Sequence, residues 1–149
     1  MMVAYLIIVL VGGIILYAVI ESGSGKKRRY GRPVASSRGY RGAIDQSEIK
    51  ARWATIMATS GTGASGLKSS LNEADKLLDH VMKQAGYSGE RMAERLKLAG
   101  PRFTDQNAVW RAHKLRNALA HEIGFDLVPS QAKEALRDFE QALKDLQAL

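Results

Sequence analysis

Cysteine is absent from this 149-residue chain. Its absence excludes disulfides, thiolate metal sites and a cysteine nucleophile, and it fits a reducing compartment. No HExxH pair occurs, and no serine sits in a nucleophile-elbow motif, so neither a zinc hydrolase nor a serine hydrolase is indicated. Two histidines share one helix face, but zinc wants three or four ligands and the asparagine between them is a poor one. No metal and no other cofactor is therefore expected. Internal repeats and strand-like alternation are also missing from the part that reads as folded. A broad basic face is lacking as well, although the net charge is +7. Residues 1–43 hold seven Lys/Arg against Glu21, whereas residues 44–149 hold fifteen against fourteen Asp/Glu. The basicity belongs to the start of the chain, and a folded domain that grips a polyanion across a whole face is not supported.

What the chain does have is an uncharged run from Met1 to Ile20, dominated by Ile, Leu and Val. Twenty helical residues rise about 30 Å, the thickness of a hydrocarbon core. Tyr5 and Tyr17 lie near the two ends, where amphipathic rings settle at the interface. A cleaved signal peptide would want a basic start and a small-x-small site, and neither is found. Residues 1–21 are therefore expected to be a transmembrane anchor. No Lys or Arg precedes the run, while Lys26, Lys27, Arg28 and Arg29 follow it. Positive charge stays inside, so the N-terminus is expected outside and the rest of the chain on the cytoplasmic side of the cell (inner) membrane.

Residues 22–43 (SGSGKKRRYGRPVASSRGYRGA) are rich in Gly, Ser and Arg and have no apolar period. Such a segment cannot bury enough surface to fold and reads as a flexible tether. Lys26, Lys27, Arg28, Arg29 and Arg32 are candidate contacts for anionic lipid headgroups or for RNA, with Tyr30 and Tyr40 available to stack on bases. Their plainest role is to set the topology.

From residue 44 the period is that of helices. The first runs from about Asp45 to Thr59 and turns Ile49, Trp53, Ile56 and Met57 inward. A break at 60–66 (SGTGASG) follows. The second starts near Leu67, with a stripe of Leu67, Leu71, Ala74, Leu78, Val81 and Ala85, and ends at Gly86. Ser88 is the expected N-cap of a short helix that stops at Gly100-Pro101. The fourth spans about Asp105–Glu122, and the last starts at Pro129 or Ser130 with Ala132, Leu136, Phe139, Leu143 and Leu146 inward. The expected class is all-α: a bundle of four main helices with a short extra one, over residues 44–149.

The fourth helix carries the chemistry. Val109, Ala112, Leu115, Leu119, Ala120 and Ile123 form an apolar arc, and Arg116 falls inside it. A buried guanidinium needs an acid. Asp75 is the first candidate for a structural ion pair, with Glu73 and Asp79 as alternatives. Beside the arc, His113, Asn117 and His121 make a polar ridge.

Arg116, four intervening residues and His121, with Asn117 directly after the arginine, resembles the R-x4-6-H motif of the HEPN superfamily. The likeness extends over roughly residues 44–149: a leading helix with Trp53 and Ile56, EADKLLD at 73–79, and a closing helix after the motif. It is similar to small HEPN-like domains of bacterial open reading frames. If the resemblance extends to catalysis, it implies a metal-independent endoribonuclease acting as a homodimer and leaving a 2′,3′-cyclic phosphate. His121 would move protons, Arg116 would stabilise charge on the phosphate, and Asn117 would orient the reacting groups. Many members instead serve as binding or dimerisation modules for a nucleotide, RNA or protein partner. On one continuous helix Arg116 and His121 point about 140° apart, so they meet only through a helix end, the long arginine or a second subunit. The leading expectation is a membrane-tethered binding or dimerisation module. The ribonuclease is the alternative, and an Arg116 that merely organises the bundle is the structural reading beside both.

Overall fold

The computed structural model describes residues 44–149. The expected anchor and tether lie outside the described residues. Within them every regular element is helical, with no strand, and no helix is long and apolar enough to cross a membrane. The order is α1 (Gln46–Ser60), α2 (Ala64–Gln84), α3 (Met92–Ala99), a 3₁₀ turn (Gly100–Arg102), α4 (Gln106–His121) and α5 (Pro129–Asp145).

Local chemistry sets the boundaries. Asp45 caps α1 by accepting from the backbone N–H groups of Ser47 and Glu48 at 3.0 and 3.1 Å, which satisfies two of the donors a helix start leaves free. Asp105 does the same for α4 through the N–H of Ala108. Pro129 stands at the first position of α5, where its missing N–H costs nothing.

Two expected boundaries are corrected. α2 begins at Ala64 rather than Leu67, because Gly63 takes the positive φ of +97° that turns the chain into the helix. Gly66 is helical, and its bare Cα lets α1 and α2 approach closely: a Cβ there would lie 2.2 Å from the Thr59 carbonyl oxygen and the Thr62 hydroxyl. The N-cap of α3 is Arg91, not Ser88. The Glu94 carboxylate accepts from the Glu90 N–H at 2.9 Å and holds the approach to that helix.

α2 lies at the centre. It packs on α1 and α5, and α5 in turn carries α4. The core is built from Ile49 and Trp53 of α1, Leu71 and Leu78 of α2, and Phe139 and Leu143 of α5, with Leu96 of α3 and Val109 of α4. Met57, expected inside, is exposed. At the C-terminus Gln147 adopts φ +60°, and the Gln46 side-chain amide donates to its carbonyl at 2.7 Å. The end of the chain is thus tied to the start of α1. Asp145 ties a second corner, accepting from the Thr104 N–H at 2.7 Å and the Thr104 hydroxyl at 2.9 Å.

Candidate functional site

Where α2 and α4 face each other, the core gives way to a polar network. Asn72 and Asp75 lie three residues apart on α2, and His113, Arg116 and Asn117 occupy one face of α4 at the spacing that makes helix residues neighbours. Asp75 is buried, with its Oδ1 2.7 Å from His113 Nδ1 and its Oδ2 3.3 Å from Arg116 Nε. Arg116 Nε donates to Asn72 Oδ1 at 3.0 Å, and Nη1 donates to Asn117 Oδ1 at 3.2 Å. Asn117 Nδ2 stands 3.1 Å from His113 Nε2, which closes the ring Asp75–His113–Asn117–Arg116.

That closure assigns the hydrogens. Arg116 can only donate, so Asn117 must turn its oxygen to the guanidinium and its NH₂ to the imidazole. His113 Nε2 is then the acceptor, and Nδ1 carries the hydrogen that Asp75 receives. The Trp110 ring stands edge-on to His113, with centroids 6.0 Å apart and planes at 76°. His113 is thereby buried with both nitrogens engaged and presents neither to a ligand.

Arg116 differs in having donors to spare. Its Nη2 has no hydrogen-bond partner among the described residues, and the side chain lines a cleft of about 670 Å³ that opens to solvent. Ser65, Lys68, Ser69 and Asn72 of α2 form one wall, and Leu119 and Ala120 continue the α4 wall beyond Arg116. The connecting loop adds Glu122, Phe125 and Asp126. Smaller grooves between α1 and α2 and between α4 and α5 hold none of the network residues.

The cleft lies where continuous core was expected. Ala120 and Ile123 of the apolar arc are exposed, Ile123 completely. α4 ends at His121 because Glu122 takes an extended ψ of 121°, so the helical period no longer governs Ile123. Opposite Leu119 and Ala120, α2 presents serines and a lysine, which leave Leu119 only partly covered and Ala120 exposed.

Of the residues singled out from the sequence, Arg116, Asn117 and Asp75 are brought together. His121 is exposed at the last position of α4, makes no side-chain hydrogen bond among the described residues, and does not line the Arg116 cleft. Lys26, Lys27, Arg28, Arg29 and Arg32 lie outside the described residues. Of the alternative acids, Glu73 pairs with Lys76 on the surface. Asp79 is taken by Arg95 of α3, whose Nε donates to Asp79 Oδ1 at 2.7 Å and whose Nη1 donates to the Gly89 carbonyl. Among the described residues no group of three or more His, Asp or Glu is placed to hold a metal ion.

Sequence reasoning missed Ser65, Lys68 and Ser69. Their signal was a polar stripe at i, i+3 and i+4, continued by Asn72 at i+7, beside the apolar stripe of the same helix. No protein-family model matches this chain, and no curated protein or solved structure matches it either.

Proposed function

We propose that the chain is a membrane-tethered binding module whose ligand site is the Arg116 cleft, and that it does not turn its ligand over. The observation that carries this reading is the state of the guanidinium. Asp75, Asn72 and Asn117 hold Arg116 in place, while one nitrogen is left for an acceptor in the cleft. A fixed planar cation with a free edge suits an anionic group such as a phosphate. No histidine lines the cleft, and the His113 imidazole beside Arg116 has both nitrogens engaged by Asp75 and Asn117, so a single chain offers no free imidazole to a ligand there. An HEPN-type ribonuclease would need His121 from a second copy.

Residues 1–21 anchor the module and residues 22–43 tether it, with the N-terminus outside; the uncharged run and the Lys/Arg asymmetry support this placement. Because the chain has no cysteine, Ser37→Cys gives a single thiol. It is expected to resist an impermeant reagent in intact cells, and labelling there would reverse the orientation.

The turnover question is tested with the full chain in nonionic detergent, as the parent and as His121→Ala. Each is incubated in EDTA with end-labelled RNAs. Both are expected to leave the RNA intact. Cleavage by the parent alone, leaving 2′,3′-cyclic phosphate ends, would make the protein a metal-independent ribonuclease instead.

A further inference from the structure

The cleft is charged with opposite signs on its two sides. Lys68 and Arg116 stand on the helical walls, while Glu122 and Asp126 come from the loop that joins α4 to α5. A purely anionic ligand would satisfy the helical side and be repelled by the loop. A ligand that carries a phosphate and an ammonium a few bonds apart would satisfy both. The same loop has a second feature. Four large apolar residues are exposed among the described residues, and two of them, Ile123 and Val128, belong to this loop. Ile123 is completely exposed, although its neighbours Glu122 and Gly124 both line the cleft. A solute small enough to sit in the cleft would leave these two side chains in water, whereas a bilayer interface would cover them.

We infer that the ligand is the headgroup of a phospholipid with a primary ammonium, of the phosphatidylethanolamine kind, taken from the bilayer surface. Lys68 and Arg116 hold its phosphate, Glu122 and Asp126 accept from its ammonium, and Ile123 and Val128 enter the interface beside it. This rests on the cleft being the ligand site and adds the kind of ligand; it also takes residues 1–21 to be the anchor. Two carboxylates suit a primary ammonium, which has three N–H donors to give them. A quaternary ammonium has none and is held by aromatic cages, whereas Phe125 is the single ring in this lining. A cleft of about 670 Å³ is within the range that small-molecule sites occupy. The acids also count against lipids of net negative charge, which are the natural contacts of Lys26, Lys27, Arg28 and Arg29 instead. Reach is sufficient. The fifteen residues of α1 place the cleft, built on the start of α2 and the end of α4, about 22 Å from the end of the bundle where residue 44 lies. The twenty-two residues of 22–43 can span up to about 75 Å, enough for the loop to meet the surface that holds the anchor.

The test uses the full chain in two settings. In nonionic detergent, calorimetry follows titration with glycerophosphoethanolamine, glycerophosphocholine and inorganic phosphate. The ethanolamine headgroup is expected to bind about tenfold more tightly than either of the others. Lys68→Ala, an exposed change that leaves the core alone, is expected to weaken all three by about tenfold. Glu122→Gln with Asp126→Asn should erase the preference for ethanolamine while tightening inorganic phosphate. In lipid nanodiscs, Ile123→Cys supplies the one thiol of a chain without cysteine and carries an environment-sensitive fluorophore. Its emission is expected to lie further to the blue in discs containing phosphatidylethanolamine than in discs of phosphatidylcholine alone, and the double amide substitution should remove that difference. Headgroup binding with a fluorophore that reports water in every disc would overturn the bilayer as the source of the ligand. Equal affinity for headgroup and phosphate, unmoved by the double substitution, would overturn the inference and leave the ligand-site reading standing. Absence of binding by all three compounds up to about 10 mM would overturn both.

Discussion

Two arginines reach acids that stand about one helical turn apart on α2, Asp79 and Asp75, and they are held in different ways. The Arg95 side chain is 4% exposed and meets Asp79 through two nitrogens and the Gly89 carbonyl through the third. The Arg116 side chain is 22% exposed, uses Nε and Nη1 for Asp75, Asn72 and Asn117, and turns toward a cleft. Both answer the demand that a cation leaving water be paired. Only Arg116 keeps a nitrogen in reserve. Complete satisfaction marks a residue that organises the fold, whereas a residue fixed on one edge and free on the other is prepared to meet something else.

The same substitution at each arginine separates the two roles. Arg95→Met removes one member of a buried pair and is expected to cost about 3 kcal/mol by urea denaturation, with anion binding unchanged. Asp75→Ala should cost a similar amount, about 3 kcal/mol, because Arg116 and His113 lose the same carboxylate. Arg116→Met, at a partly exposed position, should cost only about 1 kcal/mol while abolishing anion binding. If Arg116→Met proved as destabilising as Arg95→Met and anion binding survived, the distinction between the two arginines would fail.

Acid sharpens the contrast further. Burial pushes the Asp79 carboxyl up, but hydrogen bonds from Arg95 and Lys83 outweigh it and hold the group below its ordinary value of 3.8. Asp145 behaves likewise: burial raises it, while the Thr104 N–H, the Gln141 amide and the Thr104 hydroxyl lower it further. A lowered carboxyl gives stability that is present above pH 3.8 and is lost as the pH falls through the folded-state value. Asp79→Asn and Asp145→Asn should each flatten the stability–pH curve below that point. The smallest expected effect is opposite in sign. Burial raises Asp138, and Glu134 and Asp105 add to it against the pull of Arg111. Its ionised form is therefore disfavoured in the fold, and Asp138→Asn should stabilise by about 0.3 kcal/mol at neutral pH.

How far the sequence reached varies with the kind of signal. The inward faces of α1 and α5 follow from apolar spacing, since Ile49, Trp53, Leu136 and Phe139 have no polar competitor on their stripes. The start of α2 was obscured because Gly66 reads as a chain breaker, while in the structure it is the residue that lets two helices touch. Arg95 went unnoticed because a helix of eight residues shows too little period to mark a buried charge. Asp79, weighed from sequence as a partner for Arg116, is occupied by it. The arc on α4 was readable only as a list of apolar positions on one helix. Whether Leu119 and Ala120 meet core or solvent depends on Ser65 and Ser69 across from them, which no single-helix pattern contains. The spacing of Arg116 and His121 likewise says nothing of where the helix ends, and α4 stops at His121 with the side chain outside the cleft.

The most direct test follows the two guanidinium groups in one experiment. Arginine side-chain nitrogen resonances of the full chain in detergent would be recorded during titration with inorganic phosphate. Arg116 should shift saturably, with about tenfold more ligand needed in Lys68→Ala, while Arg95 stays fixed throughout. An Arg116 signal that does not move at saturating ligand, or one that moves no more than Arg95, would contradict a ligand-binding role for the cleft.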